Sequence, residues 1–295
     1  MNGTDIMNEY DIIIVGSGPA GISAALYAAR ARMKTLVIGS GDGALAKADW
    51  IENYYGFAEP VAGDKLLADG RQQAQRVGAE LVTAQVVGVG YDGAFVVKTN
   101  EAEYHGKAVI LATGSNRTAP KIKDFSGYEG RGVSYCAVCD AFFYRGKDVA
   151  VLGCCEYALH EISELLPVVK SVTLLTNGAV PISDFPSEVR VITDEIAALE
   201  GEERLEHVQF KNGESLDIAG LFVAIGVAGS SDLARKLGAQ TEGLRIVVDE
   251  NMATTIPGLY AAGDCTGGMM QIAKAVYEGA KAGTEAVRFV RKSRE

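Results

Sequence analysis

Long apolar runs are missing from this 295-residue chain. None approaches the run of about 18 residues that a bilayer-spanning helix requires, so no membrane is expected among its partners. Histidine is almost absent: the three present, His105, His160 and His207, are scattered singly. A zinc centre needs four convergent ligands, and no second Cys-x-x-Cys or His pair exists to complete one, so no metal is expected. Cysteine is scarce and odd in number, at five, which argues against a disulfide-stapled secreted domain. The first ten residues, MNGTDIMNEY, have neither the basic stretch nor the apolar core of a secretory signal. A reducing, cytoplasmic location is therefore expected. Positive charge is also in deficit, with 28 Lys and Arg against 38 Asp and Glu, and a net −10 disfavours nucleic acid as a partner. What is plentiful is apolar content, 48%, and glycine, 35 residues placed in turns rather than in low-complexity runs. At this length two domains are expected.

The chemistry-bearing stretch is SYCAVCDAFF, residues 134–143. Cys136 and Cys139 stand two residues apart with Asp140 beside the second. That spacing lets both sulfurs sit on one turn, as a reversible dithiol/disulfide pair requires, and draws one thiol pKa toward neutrality.

Along the chain, residues 11–15 (DIIIV) read as a buried parallel strand running into Gly16-Ser17-Gly18-Pro19-Ala20-Gly21 and then an Ala-rich helix at about 22–32. Glycines at these positions permit a tight turn, close approach of a pyrophosphate, and tight helix–strand packing. The helix start offers free amides to the phosphates. A second strand at 35–38 completes the βαβ context of a dinucleotide site. The acid usually found after that strand is missing, since the chain reads Ile38-Gly39-Ser40, and the ribose contact is left unassigned. The aromatic loop 50–56 (WIENYYG) is read as ordinary packing ahead of a helix. Residues 81–105 suggest a small antiparallel meander, and 108–114 (AVILATG) a buried strand ending in a small-residue turn.

Past residue 116 the composition turns polar and Pro/Gly-marked, as at a domain crossing. The βαβ theme then repeats: strand 148–152, Gly153-Cys154-Cys155-Glu156-Tyr157-Ala158, a helix to about 166, and strand 171–175. Cys155 stands where a second glycine would admit a pyrophosphate, and any Cβ there obstructs that approach. The following Thr176-Asn177-Gly178 offers neither an acid for a ribose diol nor a cation for a 2′-phosphate. The Cys154-Cys155 pair is read as small buried residues at a helix start rather than a vicinal disulfide. A strand at 221–226 closes this part, and the first domain is expected to resume near Leu244, with a turn, strand and turn over 255–264 and a helix at about 270–291. The expected architecture is α/β, with two Rossmann-like βαβ nucleotide-binding domains. The second, 117–243, is inserted into a discontinuous first, 1–116 plus 244–295.

Taken together, Gly16 to Gly21, Glu52-Asn53, Ala112-Thr113-Gly114, Cys136-Ala137-Val138-Cys139-Asp140 and Leu259-Tyr260-Ala261-Ala262-Gly263-Asp264 resemble the low-molecular-weight thioredoxin reductases over residues 10 to about 290. The resemblance implies an FAD in the discontinuous domain, held by Gly16, Gly18, Pro19, Ala20, Gly21, Asn53, Thr113, Gly114, Gly263, Asp264, Gln271 and Ile272. It implies that Cys139 faces the flavin, that Cys136 attacks the disulfide of thioredoxin, that Asp140 relays the proton, and that the protein is a homodimer. The chain departs from the family pattern in its second domain, which lacks both Gly-x-Gly-x-x-Ala and a His-Arg-Arg cluster. In this it resembles the ferredoxin-dependent flavin thioredoxin reductases, so reduced ferredoxin is the expected electron donor. NADPH as donor, or a dithiol oxidase using oxygen, are the alternatives; the intact Cys-x-x-Cys-Asp weighs against a non-enzymatic flavin-binding sensor. Residues 117–147 carry six basic side chains against three acidic, a net +3, and Arg288, Arg291, Lys292 and Arg294 form a second basic cluster. Either would steer an acidic donor, or serve as ordinary surface charge.

Overall fold

Strand β1 (Glu9–Val15) is buried on both faces, as its unbroken β-branched run requires. It leads through a glycine turn into α1 (Pro19–Arg30), then β2 (Thr35–Gly39), α2 (Gly63–Arg76), β3 (Glu80–Thr83), β4 (Val86–Tyr91), β5 (Phe95–Thr99) and β6 (Glu103–Leu111). The computed structural model describes residues 8–41, 43–114, 120–135, 137–181, 184–226 and 228–294, the side chains of Lys47, Val138 and Cys139 excepted. The strands lie in the order β3-β2-β1-β6-β5-β4. β3, β2, β1 and β6 are parallel, and β6, β5 and β4 form an antiparallel meander. The meander expected over 81–105 thus loses its first strand: Leu81 pairs in parallel with Val37. The alternation in ELVT marks a strand and is silent on the direction of its neighbour.

The next segment holds β7 (Val133–Ser134), α3 (Ala137–Asp140), β8 (Asp148–Leu152), α4 (Glu156–Leu165), β9 (Ser171–Leu175), β10 (Arg190–Ile192), β11 (Ile196–Glu200), β12 (His207–Phe210), β13 (Ser215–Asp217) and β14 (Gly220–Val223). β10-β9-β8-β14-β7 is a parallel sheet, and β11-β12-β13 an antiparallel one. Their shared core joins Ala150, Leu152, Leu175, Leu221 and Val223 to Leu199, Val208 and Phe210.

Then follow α5 (Ser230–Lys236), β15 (Thr241–Glu242), β16 (Arg245–Ile246), β17 (Leu259–Ala261) and α6 (Ile272–Lys292). β17 pairs in parallel with the last third of β6, beyond the stretch that pairs with β5. The chain divides into two compact units, Met1–Asn116 with Gly229–Glu295, and Arg117–Ala228. The expected return at 244 is thus corrected to Gly229. No composition shift marks that point; tertiary bonds do, since Ser230 is locked to Thr113 by three hydrogen bonds.

The first unit is held by the contact of α1 with α6. A Cβ on Gly279 would lie 2.0 Å from the Ala20 carbonyl oxygen, and one on Gly283 would lie 2.5 Å from that of Ala24. Only glycine allows the helices this close, which brings the start of α1 beside the turn that precedes α6. The basic end of α6 is engaged internally: Arg294 donates to Asp11 (2.6 Å), Arg291 to the Ala31 carbonyl (3.2 Å) and Arg288 to Glu285 (2.6 Å).

Candidate functional site

In the first unit, the parallel register aligns Val15 with Leu111 and Leu111 with Ala261. The C-terminal ends of β1, β6 and β17 are therefore neighbours, and each ends in a small-residue turn. Gly16, at φ +118°, donates to the Ile38 carbonyl (2.7 Å), and a Cβ on it would meet the Ala112 oxygen at 2.2 Å. Gly21 closes the same turn, its Cβ position lying 1.8 Å from the Gly16 oxygen. Gly18 is different. It caps α1 with an ordinary extended backbone, and a Cβ there would meet nothing within 4 Å. The first turn of α1 has Pro19 at its start and no acidic residue. The open space beside Gly18 lies at this helix N-terminus, the arrangement that receives an anionic phosphate.

The other expected cofactor residues converge here. Gly114 follows β6 with open space beside it. Gly263, at the end of β17, has a Cβ position 2.9 Å from the Ala20 side chain. Asp264 begins the 3-10 turn Asp264–Thr266. Gln271 caps α6 ahead of Ile272 and accepts from the Asn53 amide at 3.0 Å.

Three supporting groups were not expected from the sequence. Lys274 donates to the carbonyls of Gly263 (2.8 Å) and Gly267 (2.5 Å) and to the Thr266 hydroxyl (2.9 Å). Glu278, paired with Lys274 at 3.1 Å, accepts from the Gly263 amide and the Thr266 hydroxyl, each at 2.8 Å. This clamp fixes the turn that carries Asp264. The Lys-x-x-x-Glu spacing was its one legible trace. At the end of β2, where an acid was missing, Arg71 from α2 donates to the Ser17 hydroxyl (3.1 Å) and the Gly41 carbonyl (2.9 Å).

In the second unit, the dithiol segment follows β7. Cys136 lies outside the described residues, as does the side chain of Cys139; the backbone of Cys139 is within α3. Asp140 ends α3 half-buried and accepts from the Ser134 hydroxyl at 2.6 Å. The amide of Ala137, between the cysteines, donates to the buried Glu161 carboxylate at 2.7 Å. Burial, followed by the charge of Asp140, pushes the Tyr144 hydroxyl pKa up. Phe142 and Phe143 are 72% and 69% exposed beside this segment.

The family model described as pyridine nucleotide-disulphide oxidoreductase matches residues 10–279. A thioredoxin reductase of Aquifex aeolicus is 36% identical, over 86% of this chain and 85% of that protein. The crystal structure of an atypical thioredoxin reductase from Desulfovibrio vulgaris Hildenborough is 42% identical, with a TM-score of 0.89 over 96% of this chain and 98% of that one. The chain belongs to the low-molecular-weight thioredoxin reductase family. A ferredoxin-flavin thioredoxin reductase from Clostridium acetobutylicum is also similar, at 32% identity and a TM-score of 0.69, over 97% and 99% of the two chains.

As a thioredoxin reductase-type protein the chain is a flavin disulfide oxidoreductase, and its cofactor is FAD. The first unit fits a dinucleotide on its own geometry: Gly16 and Gly21 are needed for the turn itself, whereas Gly18 keeps space clear beside the α1 amides.

The second βαβ loop of this thioredoxin reductase is built differently. Gly153 is needed for packing, its Cβ position being 2.4 Å from the Ala224 oxygen. Cys155 caps α4 and directs its thiol to the Gly226 carbonyl at 3.1 Å. Cys154, Cys155 and Cys265 are free thiols, and burial followed by the neighbouring Cys155 pushes the Cys154 pKa up. After β9 the polar groups bond inward. Thr176 donates to the Ala179 carbonyl (2.6 Å), Asn177 accepts from the Ile196 amide (2.6 Å), and Gly178 lies against Glu195, itself paired with Lys211. Among the described residues no helix is long and apolar enough to cross a membrane, and no group of three or more His, Cys, Asp or Glu could hold a metal ion.

Proposed function

We propose that this protein reduces thioredoxin through FAD and a Cys136/Cys139 disulfide, drawing its electrons from reduced ferredoxin rather than NADPH. One observation carries the choice of donor. A Cys155 side chain stands at the glycine position of the second βαβ loop, and the residues after β9 turn inward against the Glu195 carboxylate. A 2′-phosphate there loses charge-assisted bonds worth about 1.5–3 kcal/mol each and meets an acid instead. The similarity to a protein named as a ferredoxin-flavin thioredoxin reductase supports the same reading. The family's description, pyridine nucleotide-disulphide oxidoreductase, favours the second reading, with NADPH as donor.

In this reading the unit Met1–Asn116 with Gly229–Glu295 holds FAD, and Arg117–Ala228 carries the dithiol. The protein works as a cytoplasmic homodimer. Gly16, Gly18, Pro19, Ala20 and Gly21 receive the pyrophosphate; Asn53, Thr113, Gly114, Gly263, Asp264, Gln271 and Ile272 complete the FAD site. FAD held by these residues would supply the exchange between one-electron and two-electron chemistry that a ferredoxin-fed disulfide requires. The Cys136 thiolate then attacks the thioredoxin disulfide, forming a mixed disulfide and releasing one thioredoxin thiolate. Cys139 displaces the second, so the Cys136–Cys139 bond reforms and thioredoxin leaves as a dithiol. Asp140, oriented by Ser134, supplies a proton to a leaving sulfur. The exposed Lys121, Lys123, Arg131, Arg145 and Lys147 steer the acidic donor, whereas the C-terminal cluster is largely occupied with its own chain.

The test is anaerobic bleaching of the FAD-loaded protein by NADPH, NADH and reduced ferredoxin in turn. Ferredoxin should bleach it, at a rate that falls with salt and with the double substitution Lys121→Glu/Lys123→Glu. Rapid bleaching by micromolar NADPH would return the protein to the NADPH-dependent enzymes and leave the FAD and dithiol assignments standing.

A further inference from the structure

Glu161 is 1% exposed, on the face of α4 that also buries Tyr157, Ala158, Ile162 and Leu165. An apolar residue would fill that position without desolvating a carboxyl group, so packing does not account for an acid there. Its Oε2 accepts the Ala137 amide hydrogen at 2.7 Å. That amide belongs to the peptide that joins Cys136 to Ala137. At the other end of α3, the Ser134 hydroxyl holds Asp140 at 2.6 Å. The four residues of α3 are thus tied to the unit at both ends, one tie coming from a buried side chain 24 residues away.

We propose that Glu161 is a positioning residue for the Cys136/Cys139 couple, holding the Ala137 amide so that the peptide between the two cysteines keeps one shape whether the sulfurs are bonded or reduced. The proposal rests on the reading of these cysteines as the redox pair. Opening the S–S bond takes two electrons and two protons, and Glu161 supplies none of them. Its effect is on the dithiol. A segment held in its bonded shape keeps each thiol at high effective concentration beside the other, which favours disulfide formation and makes the dithiol a stronger reductant. Without the hold the reduced segment gains freedom that the disulfide form cannot, and the equilibrium moves toward the dithiol.

Two substitutions separate the hydrogen bond from the charge. Glu161→Gln keeps an oxygen that can accept from Ala137, whereas Glu161→Met keeps the length and removes the acceptor. The dithiol/disulfide ratio is read by alkylation and mass spectrometry in glutathione buffers of graded ratio, on the FAD-loaded enzyme, with no thioredoxin or electron donor present. Glu161→Met should shift the equilibrium about tenfold toward the dithiol, a rise of ~30 mV for this two-electron couple, with Glu161→Gln within about twofold of the parent. If both variants stay within twofold, or both shift alike, the proposal is overturned, the latter result assigning the effect to charge. If Glu161→Met fails to take up FAD, peptide-level hydrogen exchange of the unsubstituted enzyme decides. Protection of the Ala137 amide that persists on reduction supports the hold, and free exchange in the dithiol overturns it. Absence of any Cys136–Cys139 disulfide after oxidation is a distinct outcome, which overturns the functional reading and the proposal with it.

Discussion

Two glycines three residues apart should fail in opposite ways. At Gly21 an added methyl would lie 1.8 Å from the Gly16 oxygen and 2.9 Å from its carbonyl carbon, both backbone atoms with no rotamer to yield. Relief requires the β1–α1 turn to open by more than 1 Å, because Cβ contacts under about 3.4 Å are already tight. The turn is also pinned by the Gly16-to-Ile38 hydrogen bond and by the contact of α1 with α6. Overpacking of this kind costs roughly 1–3 kcal/mol or more. Gly21→Ala should therefore lower stability with or without FAD. At Gly18 the backbone is extended, φ −80° and ψ −174°, and a Cβ meets nothing within 4 Å. Gly18→Val should cost the FAD-free protein no more than about 1 kcal/mol, the loss of a favoured helix cap without any clash. It should nevertheless weaken FAD at least tenfold, ~1.4 kcal/mol, by filling the space beside the helix amides. Urea unfolding with and without added FAD, together with a fluorescence titration of the flavin, measures both. Full FAD affinity in Gly18→Val would refute the placement of the pyrophosphate, and an unaffected Gly21→Ala would refute the packing argument.

Lys274→Met strands the buried Glu278 carboxylate and frees the Gly263–Gly267 turn, so urea unfolding should show a loss of about 3 kcal/mol, the range for a broken buried pair, together with weaker FAD binding. Burial pushes the Cys265 thiol up to about 11, so the fold keeps its proton where the unfolded chain has lost it. The resulting stabilisation is fully present below about pH 9 and is lost as pH rises through 11. Denaturation across that range should show about 2–3 kcal/mol of alkaline loss that Cys265→Ala removes, and iodoacetamide at pH 8 should leave native Cys265 unmodified. Asp140→Asn should slow thioredoxin reduction by about a hundredfold or more while FAD content, read from its visible absorbance, is unchanged.

Much of this architecture was legible because its causes are local. The strands at 148–152 and 171–175 emerge with the expected bounds, since a run of β-branched and aliphatic residues between polar turns has few other fates. The first βαβ turn was readable from the spacing of Gly16, Gly18 and Gly21, although only Gly21 is required by a neighbour within six residues; Gly16 is required by the Ala112 carbonyl of the adjacent strand end. The spacing of Cys136 and Cys139 made them a candidate couple, and the family resemblance added Asp140; of the three, the structure describes the carboxylate of Asp140, held by Ser134. What sequence could not disclose lies between residues far apart in the chain. The return to the first unit at Gly229 is set by Ser230 meeting Thr113, 117 residues earlier. The clamp of Lys274 and Glu278 acts on Gly263 only because α6 folds back along α1, and Arg71 reaches Ser17 across 54 residues. Nothing in the sequence singles out Glu161; only the packing of α4 puts its carboxylate against the Ala137 amide. A hydrogen-bonding side chain has the same capacity wherever it stands. Which partner it meets, and whether water is there to compete, is decided only when tertiary packing chooses its neighbours.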